Sequence, residues 1–389
     1  MTREEHYKNI LSIKSPNILL ELPTGFGKSK VAIDLIKHWY PANNITTLII
    51  VPKLVLIQNW KDELKKWGHK GLVTFTTYAS LHKYINKNFD VLVYDECQHF
   101  TERIASIHTK ITCTHSLFLS ATVTKEIRQR LYNCTNLYSY KVSARKAIDD
   151  NILPDPRVIL VEMHLSQAQN DKIIIYPKKP STRTEVVTWN NRRKYLYKKN
   201  KNFNLIITCS EQQHYAYLSE QIEFWKKRYM QTNSIIAKNK WLHNAGIRLK
   251  WLSKNKQNTI LYLLNLHKND RVLTFCADIN QTEELGKYCI NSKNKQSKQY
   301  YDMFNEGKIN HITACGILNE GVNITNCQYG IFAYLSSSDI IIKQRLGRLL
   351  RHKNPVIIIP YYAGTREQEI VEKMLKDYNP NLVEIKKYN

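Results

Sequence analysis

Asn17 to Leu22 is an apolar run that passes straight into Pro23-Thr24-Gly25-Phe26-Gly27-Lys28-Ser29, and Val31-Ala32-Ile33-Asp34-Leu35-Ile36 follows with helical spacing. A strand, a glycine-containing loop and a helix in that order place backbone N–H groups around a phosphate at the helix N-terminus. Gly25 and Gly27 supply backbone angles and close approach that a β-carbon would obstruct. Lys28 is suited to neutralise β- and γ-phosphates, and the Ser29 hydroxyl to ligate magnesium. The loop from Pro23 to Ser29 is therefore the candidate ATP-binding element, and it requires an α/β fold around it.

The rest of the chain supplies that fold. Between Asn17 and Thr122 short apolar runs (Ile18 to Leu22, Thr47 to Val51, Leu72 to Thr77, Val91 to Tyr94, Leu117 to Leu119) alternate with helical patterns. Buried strands separated by helices predict a parallel sheet covered on both faces. A second series comprises Val272 to Phe275, His311 to Ala314, Tyr329 to Tyr334 and Val356 to Ile359, so two α/β domains are expected. The fourth run of the first series ends in Asp95-Glu96-Cys97-Gln98. Two acids at the end of a buried strand suit a magnesium partner, Asp95, beside a catalytic base that orients the attacking water, Glu96.

Near the far end stands Gln344-Arg345-Leu346-Gly347-Arg348-Leu349-Leu350-Arg351. Arg348 and Arg351, three apart, share one helical face, with Gln344 one turn earlier. A glycine inside a helix costs about 1 kcal/mol, so Gly347 argues for close approach rather than for an ordinary basic surface helix.

The formal net charge is +25, which predicts attraction to a polyanion; nucleic acid fits, and an anionic membrane surface would also attract it. No apolar run reaches the roughly 20 residues that cross a bilayer, and the N-terminus lacks a signal-peptide h-region, so an intracellular protein without a membrane partner is expected. The eight cysteines contain no CxxC pair and no Cys/His spacing of a zinc site, and are read as free, buried or neutral thiols.

Taken together, these stretches resemble those of superfamily-two helicases. Val51-Pro52-Lys53 with Leu56 and Trp60 resembles motif Ia, Thr77-Tyr78-Ala79-Ser80-Leu81 motif Ib, Asp95 to Gln98 a DEAH-type motif II and Leu119-Ser120-Ala121-Thr122 motif III. Asn319-Glu320-Gly321-Val322-Asn323 resembles motif V, and Gln344 to Arg351 motif VI. The forms of motifs V and Ib are similar to the XPB and UvsW-like branch, with Swi/Snf-type translocases as neighbours.

The resemblance implies two tandem RecA-like domains, with ATP and magnesium in the cleft between them and Gly321 on the nucleotide. It makes Lys28, Asp95, Glu96, Gln344, Arg348 and Arg351 catalytic, the arginines acting as fingers worth about 10³ to 10⁵ in rate. Gln98, Ser120 and Thr122 would couple nucleotide state to the track, and Lys53, Thr77, Tyr78 and Asn323 would touch nucleic acid. The chain departs from the pattern at Cys97 and Gln98, which replace Ala and His or Asp, and at Val123, which stands where proline is common. The first 20 residues also lack a glutamine for adenine readout, so relaxed nucleotide selectivity is expected.

The division expected is 1–148 for the first domain, 149–246 for a linker and basic insertion, and 247–389 for the second domain. Asp171 to Lys201 carries ten Lys or Arg against two acids, with Tyr176, Trp189, Tyr195 and Tyr197 interleaved. Such a stretch either grips phosphates and stacks on bases, through Arg192, Arg193 and Lys194, or is a solvated insertion whose aromatics pack on a small core of their own. Ser210 to Met230 is read as an amphipathic helix. The short flanks predict a minimal motor, monomeric on its track, of a size that suits a phage enzyme working in host cytoplasm. The leading expectation is an ATP-dependent DNA helicase or translocase that remodels forked or branched DNA, with single-stranded, forked or branched DNA as its partner. The rivals are an RNA helicase, the motor of a restriction or defence complex, and a nucleic-acid-binding protein that no longer hydrolyses ATP.

Overall fold

A computed structural model describes residues 1–41, 45–177, 179–196, 202–316, 324, 327–336, 338, 349, 352–376 and 378–387. The first domain runs α1 (Arg3–Leu11), β1 (Asn17–Glu21), α2 (Lys28–Trp39), β2 (Thr46–Val51), α3 (Val55–Lys66), β3 (Leu72–Thr77), β4 (Asn88–Asp95), α4 (Glu102–His108), β5 (Thr112–Ser120), α5 (Lys125–Cys134), β6 (Tyr138–Lys141) and α6 (Ala144–Asp149). Its strands form one parallel sheet in the order β3-β2-β4-β5-β1-β6. Alternate side chains of each central strand go to opposite faces. Ile18, Leu20, Ile49, Val51, Val91, Val93, Leu117 and Leu119 pack with α2 and α3. Leu19, Leu48, Ile50, Leu92, Tyr94 and Phe118 pack with α4 and α5. Both faces are thus dry, which is why these strands read as unbroken apolar runs rather than alternating ones.

The chain continues through β7 (Arg157–Met163), β8 (Asp171–Ile175), β9 (Thr184–Thr188), α7 (Arg192–Leu196), β10 (Asn204–Cys209), α8 (Glu211–Thr232), α9 (Ile235–Asn255) and α10 (Gln257–Leu266). It then runs β11 (Val272–Phe275), α11 (Ile279–Leu285), β12 (Cys289–Ile290), α12 (Ser297–Asn305), β13 (His311–Ala314), β14 (Tyr329–Phe332), β15 (Val356–Tyr362), α13 (Arg366–Leu375) and β16 (Val383–Lys387). The second sheet, also parallel throughout, has the order β12-β13-β11-β14-β15-β7-β16.

Two features differ from the expected division. β7 lies inside the stretch read as linker, yet it pairs with β15 from Arg157 to Met163 and with β16 on its other edge, so the second sheet takes its first strand before the insertion begins. Its run Val158-Ile159-Leu160-Val161 has the same two-faced burial as its neighbours, and distance in sequence hid the partnership. Helix α9 likewise crosses the expected boundary between residues 246 and 247.

The insertion proper is a small sheet, β8-β10-β9, in which β10 pairs antiparallel with β8 and parallel with β9. Its core is Ile173, Val187, Phe203, Leu205, Ile207 and Cys209, flanked by Trp189, Tyr195 and Tyr217. The helix expected from Ser210 to Met230 is α8, capped by a reciprocal Ser210/Gln213 box. Leu218 and Ile222 are its buried positions, and α8 packs along α9 as a helical hairpin. Among the described residues no helix is long and apolar enough to cross a membrane.

One buried ion pair fastens the second domain. Lys256, between α9 and α10, and Glu367, in the first turn of α13, are both fully buried, with Nζ 2.6 Å from Oε1. Nζ also donates to the Pro360 carbonyl at 3.1 Å, and the second carboxylate oxygen accepts the Tyr362 amide at 3.1 Å. Burial pushes the Lys256 ammonium down from its ordinary range, and Glu367 opposes that shift. Removing one partner of such a pair leaves an uncompensated buried charge. Lys256→Met is expected to cost about 3 to 5 kcal/mol in urea unfolding, and adding Glu367→Leu to recover most of that loss.

Candidate nucleotide site

The site lies where three adjacent strands end. In the order β4-β5-β1, Asp95 is in register with Leu119, and Glu21 with Ser120, so all three termini lie at one edge. In a sheet covered on both faces, this crevice beyond the carboxyl ends is where a ligand meets backbone and polar side chains.

The glycine loop leaves β1 there. Leu22 N–H donates to the Ser120 carbonyl at 3.0 Å, fixing the loop's start against β5. Gly25 and Gly27 both adopt positive φ, 91° and 103°. A β-carbon on Gly25 would lie 3.1 Å from Leu153, and one on Gly27 2.5 Å from the Tyr7 hydroxyl, so with positive φ at both a side chain would be strained and crowded. Phe26 is fully buried, with its ring against His6 and Tyr7 of α1. Lys28 and Ser29 open α2, and the Lys28 ammonium reaches back to the Leu22 carbonyl at 3.3 Å. Pro23 and Thr24 complete the turn before Gly25. Tyr7 of α1 was not singled out by sequence reading. Its hydroxyl lies 3.3 Å from the Phe26 carbonyl and 3.5 Å from that of Gly27, bracing the loop from outside. Only an aromatic in a short amphipathic helix marks it in the sequence.

Asp95 is buried at the end of β4. The Trp60 indole N–H donates to its Oδ2 at 2.8 Å, and the Glu96 amide to its Oδ1 at 3.0 Å. Burial first, then the adjacent Glu96 carboxylate, push the Asp95 carboxyl up, while Trp60, Lys28 and the Glu96 amide pull it back only in part. Two acids in so dry a place are short of positive charge, and a hard divalent cation with oxygen ligands suits the Asp95 and Ser29 donors.

Glu96 sits in the left-handed region at φ 50°, an uncommon conformation for a residue with a β-carbon, and one that clusters at functional sites. From it runs a chain of hydrogen bonds. Gln98 Nε2 donates to Glu96 Oε2 at 3.0 Å, and Gln98 Oε1 lies 2.7 Å from the Ser120 hydroxyl. That hydroxyl also accepts the Thr122 amide at 3.1 Å and has the Thr122 carbonyl 2.9 Å away as a second acceptor. One proton thus has two acceptors, Gln98 or Thr122. The Thr122 hydroxyl oxygen is buried with no hydrogen-bond partner among the described residues. The three residues expected to couple form a chain, Gln98 to Ser120 and Ser120 to Thr122, with Gln98 standing where the usual motif has His or Asp.

Other expected residues are arranged differently. Tyr78, expected on nucleic acid, is buried, and its hydroxyl donates to the Asp95 carbonyl at 2.9 Å. It supports the acid rather than offering a surface contact, because the same ring that closes the core beside Tyr94 cannot also face solvent. Lys53 is exposed after β2, and Thr77 is half-buried at the end of β3. Arg192 lays its guanidinium 3.4 Å from the Trp189 ring centroid, while Arg193 and Lys194 point to solvent. Gly321, Asn323, Gln344, Arg348 and Arg351 lie outside the described residues. Leu349, next to Arg348, is fully buried against β14, and a β-carbon on Gly330 would overlap its side chain. Gly330 of β14 thus permits the close approach of Leu349, while Gly347 lies outside the described residues.

Two families match parts of the chain: type III restriction enzyme, res subunit, over residues 3–80, and helicase conserved C-terminal domain, over residues 255–353. The DNA 3'-5' translocase XPB2 of Sulfurisphaera tokodaii is 21% identical, the match covering 94% of this chain and 80% of that protein. Among solved structures, S. cerevisiae Dbp5 bound to RNA and ADP BeF3 superposes with a TM-score of 0.60 at 10% identity, over 99% of this chain and 89% of that one. The type ISP restriction-modification enzyme LlaBIII bound to DNA gives 0.59 at 12% identity, over 100% of this chain and 31% of that one. These likenesses establish the fold, two tandem RecA-like domains.

The Trp60 hydrogen bond generates a pH-dependent expectation. It favours ionised Asp95, so Trp60→Phe raises that carboxyl further. Loss of one bond to a charged group, about 1.5 to 3 kcal/mol, corresponds to roughly one to two pH units. The acid limb of the pH profile of nucleotide hydrolysis is expected to move to higher pH by that amount, with activity at alkaline pH largely kept. Profiles of the two proteins, beside thermal melts that verify folding, test this.

Proposed function

We propose that the chain, a superfamily-two helicase that hydrolyses ATP, uses this hydrolysis to translocate along DNA and remodel forked or branched DNA. The observation that carries the proposal is the continuous contact from Glu96 through Gln98 and Ser120 to Thr122, which joins the water-orienting carboxylate to the end of β5. A motor needs such a connection, because hydrolysis that no other surface senses does no work on a track. DNA as the track is supported by the DNA translocase among the relatives and by the net charge of +25.

In this reading the Gly25 to Ser29 backbone amides cradle the β- and γ-phosphates at the start of α2, where the helix dipole favours negative charge. Lys28 turns from the Leu22 carbonyl to the phosphates. Magnesium held through Ser29 and Asp95 would supply charge neutralisation for the transferring phosphoryl group. Glu96 orients the attacking water and takes its proton. Arg348 and Arg351 complete the site from the second domain, while Lys53, Asn323, Arg193 and Lys194 hold phosphates of the track without reading sequence. When Glu96 gains a proton it loses its hold on the Gln98 amide; Gln98 turns, and the Ser120 hydroxyl shifts between its two acceptors. That shift is how chemistry reaches Thr122.

The test is steady-state ATP hydrolysis by wild type and Glu96→Gln at fixed salt, with no nucleic acid, single-stranded DNA, duplex DNA, forked DNA or single-stranded RNA. Wild type is expected to be stimulated several-fold by DNA, most by the fork, and the variant to fall by about 10² or more while still binding DNA. Stimulation by RNA alone overturns the choice of track, and equal stimulation by all DNAs overturns the remodelling of forks.

A further inference from the structure

The small sheet carries a cluster that the ATPase does not use. Asp171, Cys209 and His214 bring one ligand atom each to within 4.8 Å of one another. We propose that they form a transition-metal site, selective for zinc, that fastens the inserted sheet to the helical hairpin.

Each residue is delivered by a separate element. Asp171 opens β8 and Cys209 closes β10, and the two are directly paired across the antiparallel ladder, so their side chains leave the same face of the sheet. That face is the core face: Ile173, two residues after Asp171, and Ile207, two before Cys209, are both buried. An acid at such a position needs a partner. His214 supplies it from the first turns of α8, whose entry is fixed by the Ser210/Gln213 capping box, and its Nδ1 lies 2.8 Å from Asp171 Oδ2. Trp251 of α9 lies against the imidazole, with ring centroids 4.6 Å apart, which holds its plane.

Thiolate, imidazole and carboxylate together are the donor types that suit zinc, and the sulfur and nitrogen disfavour magnesium and calcium. Thiolate and carboxylate carry two negative charges, which a divalent cation cancels. Cys209 is fully buried, whereas Asp171 and His214 remain partly exposed, so the site is walled on the sulfur side and open on the other for entry and for a fourth ligand from water. Burial, with Asp171 beside it, pushes the free Cys209 thiol up to about 11. Binding therefore displaces its proton: the S–H bond breaks, a sulfur–metal bond forms, and one proton leaves to solvent. Sequence reading saw no zinc spacing because Asp171 is 43 positions from His214 and only the ladder brings it back. The cysteine and histidine alone form just half a site.

The rival is a plain His214–Asp171 ion pair beside a neutral thiol, and full-length protein distinguishes them. Chelator-stripped wild type is dialysed against Zn²⁺ and its metal content measured; a parallel sample is titrated with Co²⁺, whose thiolate complexes absorb in the near ultraviolet. The expected result is one retained zinc, a cobalt–thiolate band, and affinity at least about tenfold weaker in each of Cys209→Ser, Asp171→Asn and His214→Gln. Asp95→Asn, which alters the nucleotide site, is expected to keep the zinc and the band. Absence of the band from wild type overturns the proposal without recourse to any variant, as does wild-type zinc affinity in Asp171→Asn and His214→Gln.

Discussion

Everything in the first domain follows from a sheet that is parallel and dry on both faces. With helices over Ile18, Leu20, Val91 and Val93 on one side and over Leu19, Leu92 and Phe118 on the other, neither face can host a polar reaction. The strand ends are what remains. Because β5 lies between β4 and β1, the glycine loop, the acid pair and the Ser120 to Thr122 segment meet without any long side chain having to span a gap. The chemistry is thus a consequence of strand order, and a different order of the same strands would scatter these residues.

The site spends stability to hold this geometry. Asp95 is buried beside another carboxylate, and Glu96 adopts a left-handed backbone conformation that costs on the order of 1 to 3 kcal/mol for a residue with a β-carbon. Trp60, Lys28 and the Glu96 amide offset part of the cost of the buried carboxyl, and Tyr78 holds its backbone carbonyl. Such overdetermination keeps the acid in one orientation while leaving it short of positive charge. A preorganised, electron-rich crevice is what a phosphate bound with its cation requires.

What could be read from residue order depended on whether a feature was local. The strand–loop–helix around Lys28, the acids after β4 and the apolar runs were legible because each lies within a dozen residues and has one physical meaning. β7 was missed because its partners β15 and β16 lie far along the chain, and a lone apolar run does not say which sheet it joins. β6, with two exposed and two half-buried residues, shows no apolar run at all. Tyr78 was misassigned because an aromatic beside a strand end looks the same whether it turns outward or, as here, inward to the Asp95 carbonyl. Lys256 and Glu367 look like ordinary surface charges in sequence, and only folding reveals them as a buried pair.

The basic insertion offers two readings, and the packing of its aromatics bears on the choice between them. Trp189 and Tyr195 flank the core of the small sheet, and the Arg192 guanidinium covers the Trp189 ring. A guanidinium on a ring face gains a cation–π contact of about 0.5 to 1 kcal/mol when exposed, and it blocks that face to a base. One face of Trp189 is therefore closed to stacking, and with Tyr195 also packed beside the core this favours the reading of a module with its own core. The charges are a separate matter. Arg193, Lys194 and Lys172 remain exposed, and among the aromatics Tyr176 stays largely outside at 73% exposure. Among the described residues the surface therefore carries several exposed cations and few exposed rings, a composition that favours phosphates over bases and whose attraction weakens as salt rises. Under the proposed function, such a surface suits a guide that lets a track slide past better than a wedge that must hold bases apart.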